Sequence, residues 1–359
     1  MADQKTRKAD IIAVARAARV SASTVSRNFN HPDLVKASTR KKIDAAVRRL
    51  GYIRNRAAQT IHGIRSGTVG LIVPTVDQAI FAELIESFSE AIEEFGFTIL
   101  LASHGYCLDR EYALTRKMLE HRVDGIALIG MDHSGDTYEL LAQQGMPALL
   151  LWNYAEDAPL PCVGSDNYLA GRLIGKHVVG LGHRSVAAVF PPMAGNDRAS
   201  QRFAAVADAL ASAGCDIPEE WRMETPYSVA AAKSAVEKLI TSESRPTAII
   251  CGNDVLAWGA LHALVRHGVR VPGEISVTGI GDFNGSGEFE PSLTTVRIPA
   301  RAIGSKAAKS IAGVIISDER TQASAHFPPE LIVRATCGPA PDPWSRRRQG
   351  LSAGTDLLS

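Results

Sequence analysis

From Thr68 onward the chain alternates short apolar runs with helix-length amphipathic stretches, and this alternation limits the possible folds more than any other feature. TVGLIVP (68–74), FTILLAS (97–103), DGIALIG (124–130) and ALLLWN (148–153) read as buried strands, with helices expected over 81–96, 110–122 and between the last two strands. After a Gly-Ser-Asp turn at 164–166 a second series follows, with helices near 170–180, 199–213, 229–241 and 255–267 and strands at 185–190, 247–252 and 275–281. Continuously apolar strands need helices over both faces of their sheet. The spacing therefore predicts an α/β domain of two doubly wound parallel-sheet lobes in tandem, with small molecules bound in the cleft beyond the strand ends.

The first 66 residues are built differently. They carry 15 Lys and Arg against 4 Asp and Glu, a net of +11, whereas the other 293 carry 24 against 34, a net of −10. A cationic module joined to an acidic body suits a partner lined with phosphates, since each neutralised phosphate releases counterions. Lys5, Arg7 and Lys8 form a short arm suited to phosphates. Within Asp10 to Asn30 the apolar period holds on either side of a break near Arg19 to Ser21, which predicts two short helices capped by Asp10 and Ser21. The second helix exposes Ala22, Ser23, Ser26 and Arg27, small or hydrogen-bonding side chains that let a helix approach base edges. A third amphipathic helix over 38–50 closes a small all-α headpiece. Spacing alone also permits a plain two-helix corner.

Several classes are disfavoured. With 45% hydrophobic and 21% charged residues the composition is that of a globular domain. No run approaches a membrane span, and the first residues lack a signal peptide's apolar core, so the expected location is the cytoplasm. Cys107, Cys162, Cys215, Cys251 and Cys337 are scattered, which indicates neither disulfides nor a metal site. No cofactor is expected. GIGDFN at 279–284 begins like a dinucleotide fingerprint but has Asn284 in sixth place and no helix signal after it. A sugar-converting enzyme would need a catalytic constellation that is not found, and a sugar receptor for transport would leave the basic front end unexplained.

Val14-Ala15-x-x-Ala18-x-Val20-Ser21-x-x-Thr24-Val25-Ser26-Arg27 resembles the V-A-x-x-A-G-V-S-x-x-T-V-S-R headpiece signature of the LacI/GalR family of bacterial transcriptional regulators. The resemblance implies a DNA face of Ser21, Ala22, Ser23, Thr24, Ser26, Arg27 and Asn30. Arg19 stands at the usual turn glycine, where a left-handed non-glycine residue costs roughly 1 kcal/mol, and Ala13 stands at a usual aspartate. Gly51-Tyr52 with Asn55, Ala58 and Ile61 resembles the hinge segment G-Y-x-P-N-x-x-A-x-x-L, with Arg54 in place of the proline and Ile61 in place of the leucine that wedges open a base step. GLIVP, VDGIALIG, DNYLAGR, LGHRSVA, RPTAIICGND, VPGEISVTGIGD and PSLTTVR resemble the family's periplasmic-binding-protein-like effector domain. The match runs over 9–338.

The resulting organisation is a headpiece over 1–50, a hinge over 51–67, an effector-binding and dimerisation domain over 68–338 and a disordered tail over 339–359. Residues matching the family's ligand contacts or lying at strand ends are Gln78, Phe81, Arg202, Tyr227, Asn253 and Asp282, with Asp254 expected to cap the helix after Asn253. Where the family reads G-F-D-D this chain has Gly279-Ile280-Gly281-Asp282. Losing the first carboxylate while keeping Arg202 favours an anionic ligand. NHPDLV, GYIRNRA, ASHGYCLDRE and VGSDN are similar to the gluconate-repressor branch, which points to a sugar acid. The partners expected are operator DNA, a sugar or sugar-acid effector and a second copy of the chain, with a tetramer left open and no membrane.

Overall fold

The structure, a computed structural model, describes residues 9–54, 65–77, 79–242, 244–317 and 324–341. It divides into two compact units between Ser66 and Gly67.

The first unit holds α1 (Ile11–Ala18), α2 (Ala22–Asn30) and α3 (Ala37–Leu50), with a 3-10 turn at Pro32–Leu34. Asp10 accepts from the Ala13 N–H at 2.8 Å and Ser21 from the Thr24 N–H at 3.1 Å, so both predicted caps satisfy first-turn donors. Val14, Ala15, Ala18, Val25, Ile43 and Ala46 form the core. Arg19 takes the left-handed conformation (φ 55°), and Val20 N–H donates to Ala15 O at 3.0 Å, the bond that closes a helix end in this way. The arginine thus adopts the geometry for which glycine is preferred.

The second unit runs β1 (Thr68–Val73), α4 (Ala79–Glu93), β2 (Thr98–Ser103), α5 (Leu108–Glu120), β3 (Gly125–Ile129), α6 (Gly135–Gln143), β4 (Ala148–Asn153) and β5 (Cys162–Ser165). It continues with α7 (Asn167–Gly180), β6 (Val186–Phe190), α8 (Asp197–Ala211), β7 (Arg222–Glu224), α9 (Val229–Ile240), β8 (Ala248–Cys251), α10 (Asp254–Arg266) and β9 (Ser276–Thr278). β10 (Thr295–Arg297), α11 (Ala300–Ser317), β11 (Ala325–His326) and β12 (Glu330–Ile332) complete it. One parallel sheet has the order β11-β5-β4-β3-β1-β2, the other β7-β6-β8-β9, and β10 pairs antiparallel with β12. In β1, Val69, Leu71 and Val73 face the α4 side and Ile72 the α5 side, so period-two alternation feeds two apolar layers.

Three expectations need correction. The Gly-Ser-Asp segment is not only a turn, because Cys162–Ser165 pairs with β4 as a strand. The lobes are not in simple tandem. α11 was not predicted, and with β11 it returns to the first lobe, packing on α4 and completing its sheet, so the chain crosses between lobes three times. Finally, the 339–359 boundary falls too early, since Ala340 N–H still donates to Leu181 O at 2.8 Å. Among the described residues no helix is long and apolar enough to cross a membrane.

Candidate functional site

On the headpiece, Ser21, Ser23 and Arg27 are exposed, and Ala22, Thr24, Ser26 and Asn30 half-buried. Ser21 Oγ lies 2.7 Å from Ser23 Oγ and 2.8 Å from Thr24 Oγ1, which ties the first-turn hydroxyls together. Asn30 Nδ2 donates to Ser26 Oγ at 3.4 Å, and Arg54 donates to Asn30 Oδ1 and to Phe29 O, so the residue at the usual proline position fastens the segment after α3 to the end of α2. Tyr52 is half-buried against the core, its ring 6.1 Å from that of Phe29. Asn55, Ala58, Ile61 and Gln78 lie outside the described residues.

In the second unit, Phe81, Trp152, Arg198, Arg202, Tyr227, Asn253 and Phe283 surround a cavity of about 20 Å³. Phe81 and Trp152 come from the first lobe, packed edge to face at 5.8 Å, and the others from the second. Tyr227, Asn253 and Phe283 follow the ends of β7, β8 and β9, where a parallel sheet leaves its crevice. Trp152 holds a φ of 78° while only 2% exposed, backbone strain of the kind that clusters at ligand sites.

Two guanidiniums four residues apart on α8 share this interior. Arg198 donates to Asp197 Oδ1 at 2.9 Å. Burial works against its charge, but Asp197, Tyr106 and Tyr227 outweigh that and hold its pKa above the ordinary value. Asp197 Oδ2 in turn accepts from Met131 N–H and Asn153 Nδ2, both at 2.7 Å, which ties α8 to the ends of β3 and β4 in the first lobe. Arg202 differs. Its Nε donates to Asn167 Oδ1 at 2.8 Å and its Nη1 to Gly252 O at 3.1 Å, and both acceptors are neutral. Among the described residues no carboxylate lies within ion-pair distance of it. Burial, helped by Arg198 and opposed by Tyr227, pushes its pKa down to about 10.

Asn253 is the N-cap of α10, its Oδ1 accepting from Leu256 N–H at 3.0 Å, so the cap is not Asp254. The Asp254 carboxylate points inward and accepts from Phe283 N–H at 2.9 Å and from Ser286 and Thr295 hydroxyls at 2.6 Å each. Asp282 is not among the residues lining the cavity, because Arg297 and Arg334 hold its carboxylate at 2.8 and 2.6 Å. Gly281 explains the missing acid beside it. With φ 143°, a Cβ there would lie 1.9 Å from Phe283 Cε1, so the Phe283 ring fills the space that a side chain at 281 would need.

Residues 66–334 match the model described as periplasmic binding proteins and sugar binding domain of LacI family. Residues 10–55 match bacterial regulatory proteins, lacI family. The chain belongs to the LacI family. The HTH-type transcriptional repressor PurR of Klebsiella pneumoniae (strain ATCC 700721 / MGH 78578) is 27% identical over 330 residues, covering 91% of this chain and 96% of that relative. Among solved structures, the lac repressor dimer bound to operator and the anti-inducer ONPF superposes with a TM-score of 0.81 at 24% identity, covering 92% of this chain and all of that one. Transcription regulator GntR from Chromobacterium violaceum gives 0.70 at 27% identity, over 75% of this chain and 98% of that one.

Membership makes this chain a ligand-responsive, DNA-binding regulator of transcription rather than an enzyme or a transport receptor. In this LacI-family protein four of the cleft candidates, Phe81, Arg202, Tyr227 and Asn253, come together around one cavity. Sequence reading missed Trp152, Arg198 and Phe283. The Arg198 signal was present, since arginines four apart share one helix face and like charges at that spacing are unfavourable without a counter-charge. Nothing local marks Trp152 or Phe283, which differ from core aromatics only in what the other lobe brings opposite them.

Proposed function

We propose that the chain is a cytoplasmic repressor that binds a near-palindromic operator as a homodimer and answers to a small anionic effector of the sugar-acid class. One observation carries the effector class: Arg202 is a buried guanidinium in the interlobe cavity, bonded among the described residues only to neutral oxygens. A charge so placed is costly until an anion joins it. The cationic headpiece, with Arg27 exposed on α2, supports the DNA half of the reading. Residues 51–67 are assigned to the hinge, and Asn55, Ala58 and Ile61 to its DNA contacts. Differential affinity of the effector for two arrangements of the lobes shifts the population that grips DNA.

A thermal-shift screen of sugars and sugar acids tests the effector class, because a ligand bound only by the folded state raises the melting temperature. Acids are expected to shift it and their neutral parent sugars to fail. A response to neutral sugars alone would overturn the assignment.

The same guanidinium sets a pH dependence. Its folded-state pKa, about 10, lies below the ordinary 12.5, so the buried charge works against folding below that pH and the penalty fades as the pH rises past it. Affinity for a carboxylate is therefore expected to be flat between neutrality and about pH 9, then to fall roughly tenfold per unit above about pH 10. Titration calorimetry across this range reads it, and constant affinity up to the ordinary arginine range would show that Arg202 keeps its proton there.

For the DNA half, Arg27→Ala is expected to weaken operator binding by about 1–3 kcal/mol at fixed salt if the guanidinium grips a base. An equal loss on unrelated duplex DNA would make Arg27 a phosphate contact instead.

A further inference from the structure

A second cavity of about 420 Å³ opens beside the first, and Tyr227 lines both. The inner cavity, at about 20 Å³, has room for little more than one water-sized group, given that roughly 10–15 Å³ on this measure holds a single water. The outer one falls within the roughly 300–1,000 Å³ typical of small-molecule pockets. Tyr106 from the first lobe stacks on Tyr227 from the second at 6.1 Å and 27°, so an aromatic pair spans the cleft beside the outer cavity.

The two compartments differ in charge. Arg198 and Arg202 both line the inner one. Around the outer one the only charged side chain among the described residues is Asp77, the rest being chiefly proline, tyrosine and small residues. Asn196 also lines it and is 1% exposed. Its Nδ2 donates to Pro192 O at 3.3 Å and to Tyr227 Oη at 3.1 Å. A backbone carbonyl only accepts, which fixes the amide's orientation. Among the described residues Oδ1 is left as a buried acceptor without a partner. A buried acceptor in that state is unfavourable until a donor reaches it.

We infer that the cleft takes a two-residue acidic saccharide, its carboxylate on Arg202 in the inner compartment and a neutral sugar ring in the outer one. A ring hydroxyl donates to Asn196 Oδ1, and the apolar face of the ring packs on Tyr227. The reverse orientation would set the carboxylate near Asp77 and leave Arg202 without its anion. This rests on the anionic-effector reading above and adds the size and orientation of the ligand.

Titration calorimetry on the full chain, with gluconate, three two-residue aldonates (cellobionate, lactobionate and maltobionate) and cellobiose, tests it. At least one two-residue acid is expected to bind tenfold or more tightly than gluconate, with cellobiose weaker than either. Asn196→Ala, checked for folding by its melting curve, is expected to shrink that ratio to threefold or less. Equal binding of gluconate and all three larger acids overturns the two-compartment assignment and leaves the anionic reading standing. A ratio unchanged in Asn196→Ala overturns the role given to Asn196 and the orientation built on it. Binding of cellobiose but of no acid overturns both readings together.

Discussion

Replacing Arg202 by alanine is expected to make operator affinity independent of the effector while leaving the free protein nearly as stable as before. On the binding side, removing one partner of a buried charge pair costs about 2–5 kcal/mol, a loss of roughly 30-fold to several thousand-fold in effector affinity. On the folding side two terms oppose each other. The variant relieves a buried charge that has no acid beside it, but leaves Asn167 Oδ1 and Gly252 O without their donor. Each orphaned acceptor costs about 1–3 kcal/mol, and a buried unpaired charge is a penalty of similar size. Melting curves without effector should therefore move by a few degrees at most, while the effector-induced shift disappears. Arg202→Lys separates charge from geometry, since an ammonium keeps the charge but cannot present a planar pair of donors to a carboxylate. An effector response surviving in Arg202→Ala would place the ligand elsewhere.

The second large effect is expected at Gly171. A Cβ built there would lie 2.3 Å from the carbonyl oxygen of Arg202 and 2.9 Å from its Cα. Both are backbone atoms, so α7 and α8 would have to part by about an ångström, and overpacking of this kind costs typically 1–3 kcal/mol. Because no rotamer change relieves the contact, Gly171→Ala should sit near the top of that range. Parting the helices also strains the Asn167–Arg202 bond, so effector affinity should fall together with the urea midpoint. Gly180→Ala, at the end of the same helix with nothing within 4 Å of its Cβ, is the control and should be neutral within about 0.5 kcal/mol. Equal stability in the two variants would contradict the close approach of α7 and α8.

Much of this protein was legible in local order. The headpiece's first two helices followed from apolar spacing and two capping residues, because a short helix pair is specified by neighbours three and four residues apart, while their DNA-binding reading came from resemblance. Even Arg19, out of place for a turn glycine, kept its helix closure, since the flanking carbonyls of Ala15 and Arg16 were there to be met. The parallel strands followed from continuous apolar runs, and Phe81, Arg202, Tyr227 and Asn253 were found by resemblance or by position at strand ends.

What local order could not supply was set by contacts between distant segments. α11 is missing from the sequence expectations altogether, and its fit against α4 returns it to the first lobe. From their sequence neighbours Asp254 reads as a helix cap and Asp282 as a ligand contact. Ser286, Thr295, Arg297 and Arg334, which hold them, come from loops and strands that folding brings alongside. Arg198 has Asp197 beside it in the sequence, whereas only the fold leaves Arg202 with neutral oxygens. Periodicity thus decided most of the elements that form, because that depends on neighbours in the chain. Which buried charges gain an opposite charge and which keep only neutral partners was left to tertiary packing, because electrostatic compensation depends on distance through space.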